Sequence, residues 1–108
     1  MATATTTQEI EMTTTLKATA NIEVRNEDGR TVYVVSATWG GVAVDRTESH
    51  GTCLLNKRVA ERLAAAINAG VVFTNPKIAT DINGRTYVAA DCAVIGKYAN
   101  SNLKRLGY

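Results

Sequence analysis

The stretch "ATWGGVAVDRTESHG", residues 37–51, concentrates the side chains most able to do chemistry. It holds the single tryptophan and the single histidine, with Asp45, Arg46, Glu48 and Ser49 between them and Cys53 just beyond. A histidine near a serine or cysteine and a carboxylate is the raw material of nucleophilic hydrolysis. That chemistry needs nucleophile, base and orienter to converge in space, which neighbours along one loop seldom achieve. The sequence has no Gly-x-Ser-x-Gly elbow, no phosphate-cradling glycine loop and no His-Glu-x-x-His pair. Asp45 and Glu48 fall in a loop, Asp81 at a turn and Asp91 within a strand, so no carboxylate pair is set up for hydrolysis. One histidine and two isolated cysteines do not make a four-ligand zinc site. His50 reads as a solvated loop residue. Cys53 and Cys92 read as two buried or half-buried thiols, with one disulfide as the alternative. The expectation is a protein that is not an enzyme and uses no metal or cofactor.

Binding chemistry has more material. Trp39 precedes Gly40-Gly41, a flexible setting that suits either a core ring or an exposed anchor at a protein interface. Arg58, Arg62, Lys77, Arg85, Lys97, Lys104 and Arg105 supply cations, while Tyr33, Tyr87, Tyr98 and Tyr108 supply rings that stack on bases. Arginine beside an aromatic plane can also hold a nucleotide. The candidate ligand- or partner-binding residues are Trp39, Arg46, Arg58, Arg62, Arg85 and Tyr87. Net charge is only +2, but residues 1–56 carry four basic and seven acidic side chains against eight and three in residues 57–108. That asymmetry favours head-to-tail self-association into a homo-oligomer, or an acidic partner for the second half.

The elements that must position these groups are legible from local signals. At 108 residues, 45% hydrophobic and 20% charged, the chain fits one soluble domain. No apolar run approaches the ~18–20 residues of a membrane span, and the first residues lack the pattern of a secretory signal, so a cytoplasmic protein is expected. Residues 1–15, rich in threonine, read as a loose tail before a single domain over 16–108. Asp28-Gly29 and Asn83-Gly84 each predict a two-residue hairpin, the second with Ile82 opposite Arg85 and Thr80 opposite Tyr87. "WGG" predicts a turn into the short strand "VAVD". One amphipathic helix follows from Asn56 as N-cap, Gly70 as stop and an apolar rhythm through Val59, Leu63, Ala66 and Ile67. "VVF" reads as a short strand halted at Asn75-Pro76, with Asn75 held extended by the proline. A short C-terminal helix is expected, capped at Asn100 or Ser101, docked by Leu103 and Leu106 and ended by Gly107. The fold class is α+β: an antiparallel sheet built from two β-hairpins, with one amphipathic helix packed across it and a short C-terminal helix.

The second half also resembles small accessory proteins encoded by bacteriophages of actinobacteria. The likeness rests on "RLAAAINAGVVF", "NGRTYV" and "NSNLKRLGY". It implies a phage protein acting in the cytoplasm of an infected bacterial host, by stoichiometric binding to a host protein for takeover or counter-defence. The alternative is binding of a nucleotide signal or nucleic acid through the basic second half.

Overall fold

The computed structural model describes residues 14–46 and 56–108. Six strands run in the order β1 (Thr15–Leu16), β2 (Thr19–Glu27), β3 (Arg30–Trp39), β4 (Val42–Arg46), β5 (Phe73–Thr80) and β6 (Thr86–Cys92). Helix α1 (Lys57–Ala69) lies between β4 and β5; a 3-10 turn (Gly96–Tyr98) leads into α2 (Ala99–Arg105). Both expected hairpins and both expected helices are present, so the class is α+β. The sheet, however, is mixed. Its order is β1-β5-β6-β4-β3-β2, and β4 runs parallel to β6 with Val44 opposite Val88. The reason is the connection through α1: it is long enough to return the chain to the far side of the sheet, where β5 pairs with β1 and leaves β6 beside β4.

One consequence of this order is closure. β1 and β2 stand at opposite ends of it, yet only Lys17 and Ala18 separate them. Across a flat sheet the two ends would lie roughly 24 Å apart, at about 4.8 Å per strand. The three Cα steps from Leu16 to Thr19 reach at most about 11 Å. The sheet must therefore roll up until its two edges approach. Residues 15–27 act as one long bent strand that pairs with β5 at its start and with β3 along the rest. The result is a small, partly open barrel. Ala20 donates its amide to Asn68 Oδ1 at 2.9 Å, which ties β2 to the last turn of α1 beside the seam. The interior is filled by Leu16, Ala18, Ala37, Val44, Phe73, Val88 and Ala90, together with Ala60, Leu63, Ala66 and Ile67 from α1. Alanine at so many inner positions suits a narrow barrel approached closely by a helix.

Local chemistry sets the details. Asp28 and Gly29 take φ of 53° and 77°, the paired positive values of a type I′ turn, and Glu27 opposes Arg30 as the sequence predicts. In α1, Asn56 Oδ1 accepts from Val59 N at 2.8 Å. At its other end Gly70 N donates to Ile67 O and Val71 N to Ala66 O, the two bonds of a Schellman stop.

Three expectations are corrected. In the second hairpin Thr80 opposes Thr86 and Ala79 opposes Tyr87, one residue off the expected register. Asp81 is the cause. Its Oδ1 accepts from both Asn83 N and Arg85 N at 2.9 Å, its own amide donates to Arg85 O, and Gly84 takes φ 82°. A three-residue loop with a left-handed glycine results instead of a two-residue turn. Asn75 is not extended: φ is 53°, and β5 passes through Asn75-Pro76 as a bulge between Thr74 and Lys77. Asn75 Nδ2 donates to Asp91 Oδ2 at 3.0 Å, and asparagine tolerates the left-handed region better than most residues. Finally, α2 starts at Ala99 with no side-chain cap, because Asn100 Oδ1 accepts from Arg62 and Asn102 Oδ1 accepts from Ile95 N. Leu103 is fully buried and Leu106 half-buried, as expected for the docking pair.

Asp81→Ala is expected to cost about 1 kcal/mol, since two backbone donors lose a shared acceptor but remain exposed to water. Urea unfolding checks the energy. Faster amide exchange at Asn83 and Arg85 checks the cause, and wild-type exchange at both would contradict it.

Candidate functional site

Two surfaces stand out, one apolar and one cationic. The first lies at the end of the barrel that carries the β3–β4 and β5–β6 turns. Trp39 opposes Val42, while Val44, Val88 and Ile78 oppose one another in a single row, so all share the inner face. Val88 is 1% exposed, but Trp39 is 48% and Ile78 64% exposed, since the barrel interior opens here to solvent. With Leu16, Pro76 and Lys77 they line a groove of about 190 Å³. Ile82, in the adjoining turn, is 97% exposed. Beyond Asn75, whose amide donates to Thr14 O, no described strand pairs with the outer edge of β5 over residues 77–80. An apolar groove beside an unpaired strand edge can take an extended chain with its alternate side chains.

The second surface lies between α1 and α2. Arg58, Val59 and Arg62 from α1 meet Asn100, Lys104 and Tyr108 around a groove of about 560 Å³. Arg62 is half-buried and fixed: Nε donates to Tyr108 O at 2.6 Å and a terminal nitrogen donates to Asn100 Oδ1. Arg58 and Lys104 are exposed, and no acidic side chain among the described residues pairs with either. The first turn of α1 holds no acid either, so the positive end of its macrodipole adds to the same field.

The six candidate residues do not form one site. Trp39 belongs to the apolar groove, and Arg58 and Arg62 to the cationic one. Tyr87, next to Val88 in β6, points to the opposite face of the sheet from Trp39. Arg85 sits on the β5–β6 turn with its Nε 3.8 Å from Asp81 Oδ2. Arg46 ends β4, and the reading of its side chain lies outside what is described. The readings made for Glu48, Ser49, His50 and Cys53 likewise fall outside the described residues. Cys92 is half-buried, with Sγ donating to Val94 O at 3.3 Å.

Sequence reasoning missed Pro76, Ile78 and Val88 as neighbours of Trp39, and Asn100 and Tyr108 as neighbours of Arg62. Correct strand parity on β6 reveals the first set, because Val88 and not Tyr87 then shares the face of Trp39. The second set depends on where α2 docks, which no local pattern declares.

On the outer face of β2 the cation is paired. Arg25 Nη2 lies 2.9 Å from Glu23 Oε1, and Arg25 Nη1 lies 3.9 Å from Glu27 Oε2. The hydrogen bond and charge of Arg25 hold the Glu23 carboxyl below the ordinary glutamate range, and the same pairing raises Arg25. Among the described residues, no cluster of three or more His, Cys, Asp or Glu converges as metal ligands, and no helix is long and apolar enough to cross a membrane. Compared with family models, curated proteins and solved structures, the chain matches none.

Proposed function

We propose that this protein is a stoichiometric binding protein and not an enzyme, and that it grips an extended segment of a partner protein at the Trp39 end of the barrel. The observation that carries this reading is the Trp39–Ile78 groove lying beside the edge of β5 over residues 77–80, with which no strand among the described residues pairs. A strand added along residues 77–80 would bond its backbone to that edge. Every second side chain would then turn toward the indole and Ile78. Single tryptophans at such places carry a disproportionate share of binding energy. Lys77 on the rim favours an acidic residue in the partner. With the likeness to actinobacteriophage accessory proteins, the partner is a host protein, met in the cytoplasm of an infected cell.

The experiment is capture from an actinobacterial lysate with the full chain as bait, followed by affinity measurement on the recovered partner. Trp39→Ala is expected to weaken that affinity by roughly 30-fold, the scale of a ~2 kcal/mol hot spot. Its melting temperature should stay near wild type, because the ring is half exposed. Equal retention by Trp39→Ala and Ile78→Lys overturns the reading. So does a solution mass showing that a second copy of the chain holds the groove in place of the host protein.

A second reading has its own support. A five-stranded barrel with a long bent first strand, one parallel pair between its third and fifth strands and a helix between its third and fourth shares the connectivity of the oligonucleotide- and oligosaccharide-binding barrels. Those barrels bind single strands across the outer face of the second and third strands. Here the neighbouring Arg25 is neutralised by Glu23 and Glu27, and the described outer positions of β3 and β4 hold no aromatic side chain. Connectivity favours a nucleic-acid or nucleotide ligand; the usual face does not.

A further inference from the structure

We propose that the groove between α1 and α2 is a binding site for a phosphate group carried beside a planar base, the chemistry of a nucleotide. The proposal deepens the second reading and is independent of the Trp39 groove. Arg58, Arg62 and Lys104 line a cleft with no acidic side chain among its described residues, and its volume of about 560 Å³ is within the range of small-ligand sites. The cations differ in freedom, and the difference is informative. Arg62 is immobilised by Asn100 and the main-chain oxygen of Tyr108, so it forms the back wall of the cleft with its Nε and one terminal nitrogen already committed. Arg58 and Lys104 reach in from the two helices with their donors uncommitted among the described residues.

This arrangement costs the unliganded protein something. Arg58 and Arg62 lie one helical turn apart and repel, while Lys57 and Arg58 oppose the dipole at the start of α1. A phosphate beside Arg58 offsets the repulsion from Arg62 and the unfavourable placement of Arg58 at the start of α1. Guanidinium and ammonium together suit a phosphate, the first by paired hydrogen bonds and the second as a compact charge. The base has its own support. Tyr108 is 40% exposed on the rim, with its backbone pinned by Arg62, and Val59 gives an apolar wall. An exposed ring on the rim of the cleft can stack on a base. The cleft is built within one chain, so it requires no second subunit.

Calorimetric titration of the full chain at low salt tests this with ADP, adenosine and oligodeoxyadenylates of increasing length. ADP should bind, and adenosine should bind about tenfold more weakly or worse, since the phosphate contacts are lost. The double variant Arg58→Gln/Lys104→Gln should weaken ADP about tenfold, with an unchanged melting temperature because both side chains are exposed. Trp39→Ala should leave ADP binding as it is. Affinity that does not grow with oligonucleotide length identifies a free nucleotide as the ligand. Affinity that grows with length and falls steeply with salt identifies a strand passing through the same cleft. The proposal is overturned by absence of binding to ADP and oligonucleotides at millimolar concentration, or by equal affinity for adenosine and ADP. Oligonucleotide binding that ignores the double variant also sinks the cleft, while leaving the broader nucleic-acid reading intact.

Discussion

Leu103→Ala is expected to remove about 2–5 kcal/mol of stability, the largest loss from any single truncation in α2. Leu103 is 0% exposed and is the largest side chain through which α2 joins the core. The short helix lacks a side-chain N-cap. Its other ties are the small buried Ala99, the half-buried Leu106, the bond from Ile95 N to Asn102 Oδ1, and hydrogen bonds from Arg62 to Asn100 and to Tyr108 O. Against a typical total of roughly 5–15 kcal/mol, such a loss endangers the fold at body temperature. Urea unfolding should show a lower midpoint with an unchanged slope. A drop under ~1 kcal/mol would mean that the cavity collapses freely, contrary to the packing described. The variant also separates the two surfaces, because Lys104 and Tyr108 move with α2 while the Trp39 groove does not depend on it.

Gly70→Ala should cost about 1–2 kcal/mol, and the cause is strain. Gly70 takes φ 82°, and a Cβ placed there would meet Lys17 Cβ at 3.4 Å, an ordinary contact. The space exists; the backbone conformation is what alanine resists. The prediction is sharpened by Gly70→Asn, which should recover part of the loss because asparagine accepts the left-handed region. Thermal melts of the two variants side by side give the answer. Equal destabilisation by Ala and Asn would point to crowding against Lys17 in place of strain.

Features set within a few residues were legible in the sequence. Asn56 and Gly70 bound α1 because a cap and a left-handed stop are decided by the residues themselves. Asp28-Gly29 makes its turn for the same reason. The second hairpin shows how little separates success from failure. One carboxylate, Asp81, gathers two amides and moves the register by one. Ile78 thereby passes from the face of Tyr87 to that of Val88. The parallel β4–β6 pair and the closure of the sheet were not legible, since they depend on Leu16 finding Phe73 and Val44 finding Val88 across 57 and 44 positions. The candidate sites divide along the same line. The Arg58–Arg62 spacing on one helix ridge is visible in the letters, whereas the arrival of Asn100 and Tyr108 beside it is a fact of docking.

The two-residue link between β1 and β2 has a consequence for how the protein is made. A nascent chain emerging from the ribosome can form the β2–β3–β4 meander early, from neighbouring segments alone. Its inner face can be met next by α1, but it stays incomplete until β5 and β6 arrive with the last third of the chain. Contacts between such distant segments slow folding, and an apolar face left open meanwhile invites association with other chains. Yield of properly folded product should therefore be governed by translation speed through residues 47–92 more than by final stability.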